Sequence, residues 1–238
     1  MDSLDDLDLT PTPSASRPLL GLTVLVVEDS RFACEAMRLL CLRSGARIRR
    51  ADCLKSARRH LQVYRPSVAI IDLGLPDGSG ADLIAEMAEA SPRISVILGI
   101  SGDDAGEAAA MDAGADGFLP KPVSSVSLFQ KTIMSLLPQE RQLAGPRPAD
   151  LDRIDPDPMA YQDDMALAAD MLGGDTDERT LDYLAQFLAG VARSADDTAL
   201  YDAARTLSGL RENGKPAYSQ AAHIAGLVQA RLSRPIAI

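Results

Sequence analysis

The N-terminal part of the chain alternates between short apolar runs and segments whose apolar side chains recur at helical spacing. The run LTVLVV at residues 22–27 is continuous, which is typical of a strand buried on both faces of a parallel sheet. Residues 31–43 then place apolar side chains on one helical face, with Ser30 as the expected N-cap and Gly45 as the stop. A strand followed by a helix is the first predicted unit.

The same unit recurs four more times before residue 138. The further predicted strands are 46–50, 68–72, 94–100 and 117–119, and the further predicted helices are 54–64, 80–90, 104–113 and 124–137. Strands that alternate with single helices form a parallel sheet with helices on both faces, because each right-handed crossover packs back on the sheet. Ligands of such folds bind beyond the carboxyl ends of the strands.

Two proline-containing segments flank this α/β region, which is predicted to be one domain at residues 21–137. Residues 1–20 combine acidic residues with Pro, Ser and Thr and are predicted to be a flexible leader. Residues 138–158 contain five prolines and are predicted to be a linker. Residues 159–238 are rich in Ala and Leu, and a bundle of helices is predicted there at 160–172, 178–194, 198–210 and 218–232.

Charge limits the possible partners. The formal charge is −10 and the pI is near 4.7, and nine Lys plus Arg stand against fifteen Asp plus Glu from residue 145 to 238. Duplex affinity comes largely from Lys and Arg that neutralise phosphates, so we do not expect DNA as the main partner. A membrane partner is not expected either, because no run approaches the about 18 apolar residues that a span requires.

Cysteine usage and the N-terminus predict the compartment. Cys34, Cys41 and Cys53 are odd in number and lack CxxC spacing, so neither a disulfide framework nor a zinc site is expected. The first residues, MDSLDDLDL, lack the basic and long apolar regions of a signal peptide. We expect reduced thiols and a cytoplasmic protein.

Polar residues follow the predicted strands at the edge where ligands bind: Glu28, Asp29, Asp72, Ser101 and Lys121. Carboxylates that converge repel each other unless a cation lies between them, and oxygen ligands suit Mg²⁺. A carboxylate beside Mg²⁺ can attack phosphorus, while the cation, a Lys and a hydroxyl stabilise the phosphoryl oxygens. The strand ends therefore predict a magnesium-dependent phosphoacceptor site.

Simpler interpretations exist for several of the polar residues. Asp72 taken alone would be a helix cap or a solvated loop residue, and its companions are what favour a nucleophile. Asp77 lies in the turn signature PDGSG. Asp103 and Asp104 are expected to cap a helix, and His60 is expected to be a surface residue.

Residues 21–137 resemble the response-regulator receiver family. The matching motifs are VLVVEDS, AIIDLGLPDGSG, ISG and GADGFLPKPV, in that order. The resemblance implies a flavodoxin-like, doubly wound, five-stranded parallel sheet. It also implies a phosphoacceptor switch in two-component signalling, and not an enzyme that acts on other molecules.

The resemblance implies roles for the acids. Asp72 would receive a phosphoryl group from a histidine kinase or a phosphotransfer protein. Glu28 and Asp29 would hold Mg²⁺ together with Asp72 and the backbone carbonyl of Gly74. The family usually has a larger side chain at the position of Gly74, and its absence could alter water access and the lifetime of the acyl phosphate.

The resemblance also implies a switch mechanism. Ser101 would be the hydroxyl that moves toward the phosphoryl group, Phe118 the aromatic side chain that changes rotamer, and Lys121 the cation that pairs with the phosphoryl group. Pro122 resembles the family's proline after this lysine, whose peptide bond is often cis.

A second resemblance concerns the C-terminal helices. The stretch LYDAARTLSGLRENGKPAYSQAAHIAGLVQARL is similar to a histidine-phosphotransfer helical bundle. Arg205 stands where that family has its phosphorylated His, and Ser208 stands where it has a Lys, so the resemblance implies a degenerate domain for docking or dimerisation. His223 could be a substitute phosphoryl acceptor, but a lone His on an Ala-rich helix is more often a surface or packing residue.

Three functions follow from these patterns. The first is a response regulator phosphorylated on Asp72, with output through protein contacts or a homodimer. The second is a phosphorelay module that passes phosphate through the helical domain by way of His223. The third is a DNA-binding transcriptional regulator.

Overall fold

The computed structural model describes residues 12–138, 153–174 and 177–234. Five parallel strands form one sheet in the order β2-β1-β3-β6-β7, and a short antiparallel hairpin pairs β4 with β5. The strands are β1 (Thr23–Val27), β2 (Arg47–Ala51), β3 (Val68–Asp72), β4 (Gly74–Leu75), β5 (Gly78–Ser79), β6 (Val96–Ser101) and β7 (Gly117–Pro120). The order confirms the predicted flavodoxin-like parallel sheet. The hairpin was not predicted.

Five helices cover the two faces of the sheet. They are α1 (Arg31–Ser44), α2 (Leu54–Val63), α3 (Gly80–Glu89), α4 (Gly106–Asp112) and α5 (Val126–Leu136). Val24 and Val26 of β1 pack with α1 and α5, whereas Leu25 and Val27 pack with α2, α3 and α4. Because both faces of β1 are buried, its apolar run is continuous.

Four more helices follow in the described part of the chain and form a region with its own core, which we call the helical half (residues 158–234). They are α6 (Pro158–Gly173), α7 (Glu178–Ser194), α8 (Thr198–Glu212) and α9 (Tyr218–Leu232). Asp157, Asp177 and Asp197 are the N-caps of α6, α7 and α8, and each side chain accepts a hydrogen bond from the first turn. A separate core of Ala, Leu, Met, Ile and Val lies between the helices, as the helical periodicity predicted.

Several predicted boundaries of the α/β region differ from those of the structure. Leu19 is fully buried in the core beneath α1, so the end of the predicted leader is folded. Ile154, in the predicted linker, is 5% exposed and joins the same core. Apolar side chains in polar segments contact the nearest core, which composition alone does not reveal. Helix α4 spans 106–112, which is shorter than the predicted 104–113.

The helical half packs against the α/β region, chiefly through contacts of α6 and α7 with α1 and of α7 with β4. Phe32 of α1 meets Tyr161 of α6 edge to face, with ring centroids 5.9 Å apart. Across the ranges described, the helices are all too short or too polar to cross a membrane.

Candidate functional site

Three carboxylates meet where β1 and β3 end. Glu28 and Asp29 directly follow β1, and Asp72 is the last residue of β3. One oxygen of each carboxylate lies within 4.8 Å of the others. Glu28 is 2% and Asp72 is 7% exposed, while Asp29 is half-buried. We call these three residues the acidic pocket.

Backbone geometry fixes the acidic pocket. Strands β1 and β3 are adjacent and parallel, with Val27 opposite Ile71, so the residues that follow them reach the same level. Helix α3 then begins against the end of β3 at Gly80. A Cβ atom there would lie 1.9 Å from the carbonyl oxygen of Asp72, so this approach requires glycine.

Lys121 follows β7 and points into the acidic pocket. Its Nζ atom lies 2.8 Å from Asp72 Oδ2 and 2.6 Å from Glu28 Oε2. Burial alone would lower the pKa of this ammonium, but the adjacent carboxylates of Asp72 and Glu28 outweigh burial and raise its pKa well above the ordinary value. Lys121 is therefore a fixed positive charge.

One ammonium does not balance three carboxylates. Burial raises the pKa of Glu28 well above its ordinary value, against the attraction of Lys121, and the charges of Asp72 and Asp29 raise it further. Burial also raises the pKa of Asp29 to about 6, with the Asp72 charge adding to the effect.

The partners of the carboxylate oxygens show the same imbalance. Lys121 pairs with one oxygen of Glu28 and with one oxygen of Asp72. Three carboxylates that offer oxygens within 4.8 Å of one another, with a single ammonium between two of them, leave an excess of negative charge. Carboxylate oxygens are the ligands that hard divalent cations prefer, so the acidic pocket could hold a metal ion.

Ser101 and Phe118 lie side by side at the start of α4. Ser101 ends β6 and is 6% exposed, and its Oγ accepts a hydrogen bond from the backbone N–H of Asp103 at 3.1 Å. A Cβ atom on Gly106 would lie 2.7 Å from Ser101 Cβ and 3.2 Å from Phe118 Cζ. Ser101 is thus near the acidic pocket with its hydroxyl bonded within its own loop.

Two other acids have local structural roles. Asp77 accepts hydrogen bonds from the backbone N–H groups of Leu54 and Lys55 at 2.8 and 2.9 Å, so it caps α2 from a distant turn. Asp103 accepts from the N–H of Ala105 at 3.0 Å, just before α4. The turn prediction for Asp77 identified its location but not this cap.

The remaining candidates lie away from the acidic pocket. His60 is half-buried and its ring contacts Tyr64. Cys34 and Cys41 are buried, Cys53 is half-buried, and the three thiols are free. Burial raises the pKa of Cys41 to about 12, so its thiol is unreactive. The Lys121-Pro122 peptide bond is cis.

The sequence of this region matches a known family. The family model of the response regulator receiver domain matches residues 24–133. This segment is a receiver domain. The match includes the acidic pocket, Ser101 and Lys121, and it ends before the helical half.

Two curated relatives match the same region. The KDP operon transcriptional regulatory protein KdpE of Escherichia coli K12 is 33% identical over 99 residues, which are 42% of this chain and 44% of KdpE. The transcriptional regulatory protein PhoP of Escherichia coli O157:H7 is 28% identical over 102 residues, which are 42% of this chain and 46% of PhoP. The chain spans less than half the length of these relatives.

Among solved structures, the signal receiver domain of a signal transduction histidine kinase from Syntrophus aciditrophicus has a TM-score of 0.46 and 20% identity. The similarity covers 54% of this chain and 99% of that domain.

The helical half supplies side chains to the rim of the receiver's acidic pocket. The Tyr183 hydroxyl donates a hydrogen bond to Asp29 Oδ2. Burial and the nearby Asp29 charge raise the pKa of Tyr183 far above its ordinary value, so the phenol stays protonated. The Arg193 guanidinium donates to the carbonyl oxygen of Gly102, the residue after Ser101. Two of the loops around the acidic pocket are thus bonded to α7.

Gly74, the first residue of β4, makes room for α7 at a third position. A Cβ atom at Gly74 would lie 2.4 Å from Gln186 Nε2, so the space of a side chain at position 74 is taken by the Gln186 amide. The Gly74 N–H donates to Asp72 Oδ1 at 3.3 Å. Gln186 is therefore held next to the residue that orients the Asp72 carboxylate.

A cavity of about 350 Å³ lies between the receiver domain and the helical half. Its lining includes the acidic pocket, Ser101 and Lys121 on one side, and Gln186, Arg205 and Ser208 on the other. His223 is exposed on α9 and is not among the residues that line it.

The sequence indicated the receiver residues but not Tyr183, Gln186 or Arg193. The receiver residues lie at strand ends in a repeating pattern. The side chains of α7 lie on a helix among many similar polar residues. Gly74 was the one local signal, because the missing side chain requires something else to fill the space.

Proposed function

We propose that this chain is a two-component response regulator, phosphorylated on Asp72 by a histidine kinase or a phosphotransfer protein. The observation that carries the proposal is the position of Lys121. Its Nζ atom lies between Asp72 and Glu28, in a pocket where three carboxylates meet. This arrangement places the Asp72 carboxylate next to a cation that can pair with an incoming phosphoryl group.

Asp72 is the nucleophile in this proposal. One of its carboxylate oxygens forms a bond to phosphorus while the bond between phosphorus and the donor breaks, and the donor leaves with the electron pair. With a phosphohistidine donor, the leaving imidazole nitrogen then takes up a proton. Lys121 pairs with the phosphoryl oxygens, and Ser101 becomes their hydrogen-bond donor when its hydroxyl turns from the Asp103 amide.

Glu28, Asp29, Asp72 and the Gly74 carbonyl would hold Mg²⁺ in this scheme. A bound Mg²⁺ supplies charge neutralisation at the phosphoryl oxygens. The convergence of three carboxylates and their excess of negative charge over the one ammonium support this assignment.

The output is a change in protein contacts. Movement of Ser101 toward the phosphoryl group opens space for Phe118, which packs beside it at the start of α4. A phosphoryl group that favours one packing by a few kcal/mol is enough to switch the surface. The chain is then a phosphoacceptor switch and not an enzyme acting on other molecules, and a changed homodimer or a protein partner reads its state.

For the helical half, we propose a degenerate phosphotransfer domain that serves for docking or dimerisation. Arg205 and Ser208, which align with the phosphotransfer motif, line the cavity opposite Asp72. A guanidinium group is not a phosphoryl carrier, so the helical half would keep the shape of a phosphotransfer bundle without its ability to carry a phosphoryl group.

Incubation with acetyl phosphate and Mg²⁺, followed by intact mass measurement, tests the proposal. The expected result is one added phosphoryl group, absent in Asp72→Ala and reduced by a chelator. An adduct that persists in Asp72→Ala, or none in the starting protein, would contradict the assignment. Size-exclusion mass with and without beryllofluoride then reports whether activation changes the oligomeric state.

A phosphorelay through the helical half is a second candidate, since the C-terminal sequence resembles phosphotransfer bundles. It requires phosphate on His223 after kinase treatment. Acid-labile phosphate that disappears in His223→Gln would support the relay, and a stable absence of phosphohistidine would exclude it.

Transcriptional regulation is a third candidate, because KdpE and PhoP are named transcriptional regulatory proteins. The matched region of this chain is the receiver domain, and nine Lys plus Arg stand against fifteen Asp plus Glu from residue 145 onward. That charge disfavours phosphate contacts, so we propose that DNA is not the main partner. A gel shift that weakens steeply with salt would overturn this proposal.

A further inference from the structure

We propose that the helical half is an intramolecular cover of the acidic pocket, which a protein phosphodonor has to displace and a small phosphodonor does not. The proposal rests on the proposed function, because it takes Asp72 as the acceptor. It assigns the receiver surface around Asp72 as an interaction face that α6 and α7 occupy within the same chain.

The first support is the distribution of the contacts around Asp72. Side chains of α7 reach three separate segments of the receiver domain: the loops after β1 and β6, and strand β4 after β3. The contacts are Tyr183 with Asp29, Gln186 with Gly74, and Arg193 with Gly102. Contacts on three sides of the acidic pocket place α7 over it and not beside it.

The second support is Asp164 of α6, which is 0% exposed. Its carboxylate accepts hydrogen bonds from Ser30 Oγ at 2.7 Å, from Arg31 N–H at 2.8 Å and from Phe32 N–H at 3.1 Å. A buried carboxylate is costly unless it is fully hydrogen-bonded, and here all three donors belong to the first turn of α1. Asp164 therefore clasps the helical half to one defined position on the receiver domain.

The third support is the fit at Gly74. The Gln186 amide fills the space that a side chain at position 74 would take. The receiver surface is thus recessed at the point where α7 crosses it, next to the hydrogen bond between Gly74 and Asp72.

Cavity size determines which donors reach Asp72 in this state. The space between the two halves is about 350 Å³, and the exposed residues Asp103, Arg205 and Glu212 on its lining show that it reaches solvent. Phosphoramidate or acetyl phosphate fits such a space. A helix that carries a phosphohistidine is about 10–12 Å across and does not. A protein donor therefore reaches Asp72 only after α7 has moved.

The test compares two donors of matched chemistry on the full-length chain. The small donor is phosphoramidate, and the large donor is a purified histidine-phosphotransfer domain loaded with phosphate beforehand. The rate of adduct formation at Asp72 is measured by intact mass for the starting protein, for Asp164→Ala and for Tyr183→Phe. Asp170→Ala, at an exposed site on α6, and Tyr218→Phe, at a side chain 87% exposed on α9, are the matched controls.

The expected result is a rise in the ratio of protein-donor rate to small-donor rate. Loss of the Asp164 clasp should raise this ratio about tenfold, and loss of the Tyr183 hydroxyl about threefold, with the controls unchanged. Hydrogen exchange in the loop after β6, where Arg193 contacts the Gly102 carbonyl, should rise in Asp164→Ala, as a readout of undocking that is independent of phosphate and remote from the substituted carboxylate. Should Asp164→Ala lose helical content by circular dichroism, Tyr183→Phe carries the comparison.

The outcomes separate this proposal from the proposed function. Adducts from both donors at an unchanged ratio would overturn the cover and leave Asp72 as the acceptor. Equal acceleration by both donors would also overturn it, because the substitution would then act on the reaction itself. No adduct from either donor would overturn the proposed function, and the cover with it.

Discussion

Each half of the molecule buries an ionic cluster, and the two clusters differ in charge balance. In the receiver domain, Lys121 faces three carboxylates, and burial raises the pKa values of Glu28 and Asp29. In the helical half, Asp197 accepts two hydrogen bonds from Arg231 at 2.7 Å each and one from Tyr161 at 2.6 Å.

In the helical half, where the charges of Asp197 and Arg231 balance, the pKa of the carboxyl group is lowered and not raised. Burial would raise the pKa of Asp197, but the hydrogen bonds from Arg231 and Tyr161 outweigh it and lower the pKa to about 2. The matched charges of Asp197 and Arg231, with Tyr161, link α6, α8 and α9. The cluster in the receiver domain has more negative than positive charge, so it can bind a further cation.

Removing the cation of the receiver cluster should have the largest effect. Lys121→Met leaves Asp72 and Glu28 buried without their partner, and we expect a loss of about 3–5 kcal/mol in the free energy of unfolding at pH 7. Urea unfolding measures it. Lys131→Met, at an exposed site on α5, is the control. A loss below about 1 kcal/mol would mean that the cluster is already solvated.

Supplying a second cation should stabilise the receiver cluster. An ion that binds only the folded state adds about 2.7 kcal/mol at 100 times its dissociation constant. We therefore expect a Mg²⁺-dependent rise in melting temperature that chelation reverses and that Asp29→Asn greatly reduces. Asp104→Asn, at an exposed site in the loop after β6, should keep the full rise. Equal responses from both variants would place the ion elsewhere.

The balanced cluster should respond to pH with a defined sign. Because the folded pKa of Asp197 lies at about 2 against an ordinary 3.8, its stabilisation is present above about pH 4 and is lost as the pH falls toward 2. Asp197→Asn should cost about 1–2 kcal/mol at pH 7, because solvent screens part of this half-buried ion pair. The difference in free energy of unfolding between Asp197→Asn and the starting protein should decrease as the pH falls from about 4 toward 2.

Asp196→Asn is the control for this titration, because Asp196 is exposed and asparagine tolerates its φ of 54°. Unfolding curves recorded between pH 2 and 7 give the comparison. A gap between Asp197→Asn and the starting protein that stays constant from pH 7 to pH 2 would rule out the ion pair as its source.

Substitution of Asp77, an acid that pairs with backbone N–H groups and not with a cation, should have the smallest effect on the free energy of unfolding. Asp77 is exposed and has no buried cation, but it caps α2 through two backbone N–H groups. Asp77→Ala should cost about 1 kcal/mol, as loss of a helix cap does. Thermal unfolding beside Asp104→Ala measures the difference, and identical curves would show that the cap has no energetic role.

The sequence predicted the receiver fold and the meeting of its acids at one edge of the sheet, for a physical reason. Fully buried strands such as β1 require continuous apolar runs, and parallel topology brings the strand ends to one edge, so the sequence alone could place Glu28 beside Asp72. The β4–β5 hairpin was not predicted, since two-residue strands leave no periodic pattern. The buried positions of Leu19 and Ile154 depend on tertiary contacts that local composition does not encode.

Contacts between the halves could not be predicted at all. Asp164 stands next to Asp163, and nothing in the sequence distinguishes them. One is fully buried against α1, and the other forms an exposed ion pair with Arg31. Which of two adjacent acids enters an interface depends on how the helix is rotated about its axis against its neighbour. The small side chains of an Ala-rich helix do not specify this rotation.

The recess at Gly74 bears on how such chains can be recombined. A receiver domain with a side chain at this position could not be joined to the present C-terminal helices without displacing Gln186. Chimeric regulators assembled from different parents would therefore keep the present position of the Gln186 amide only where the glycine and the glutamine are inherited together.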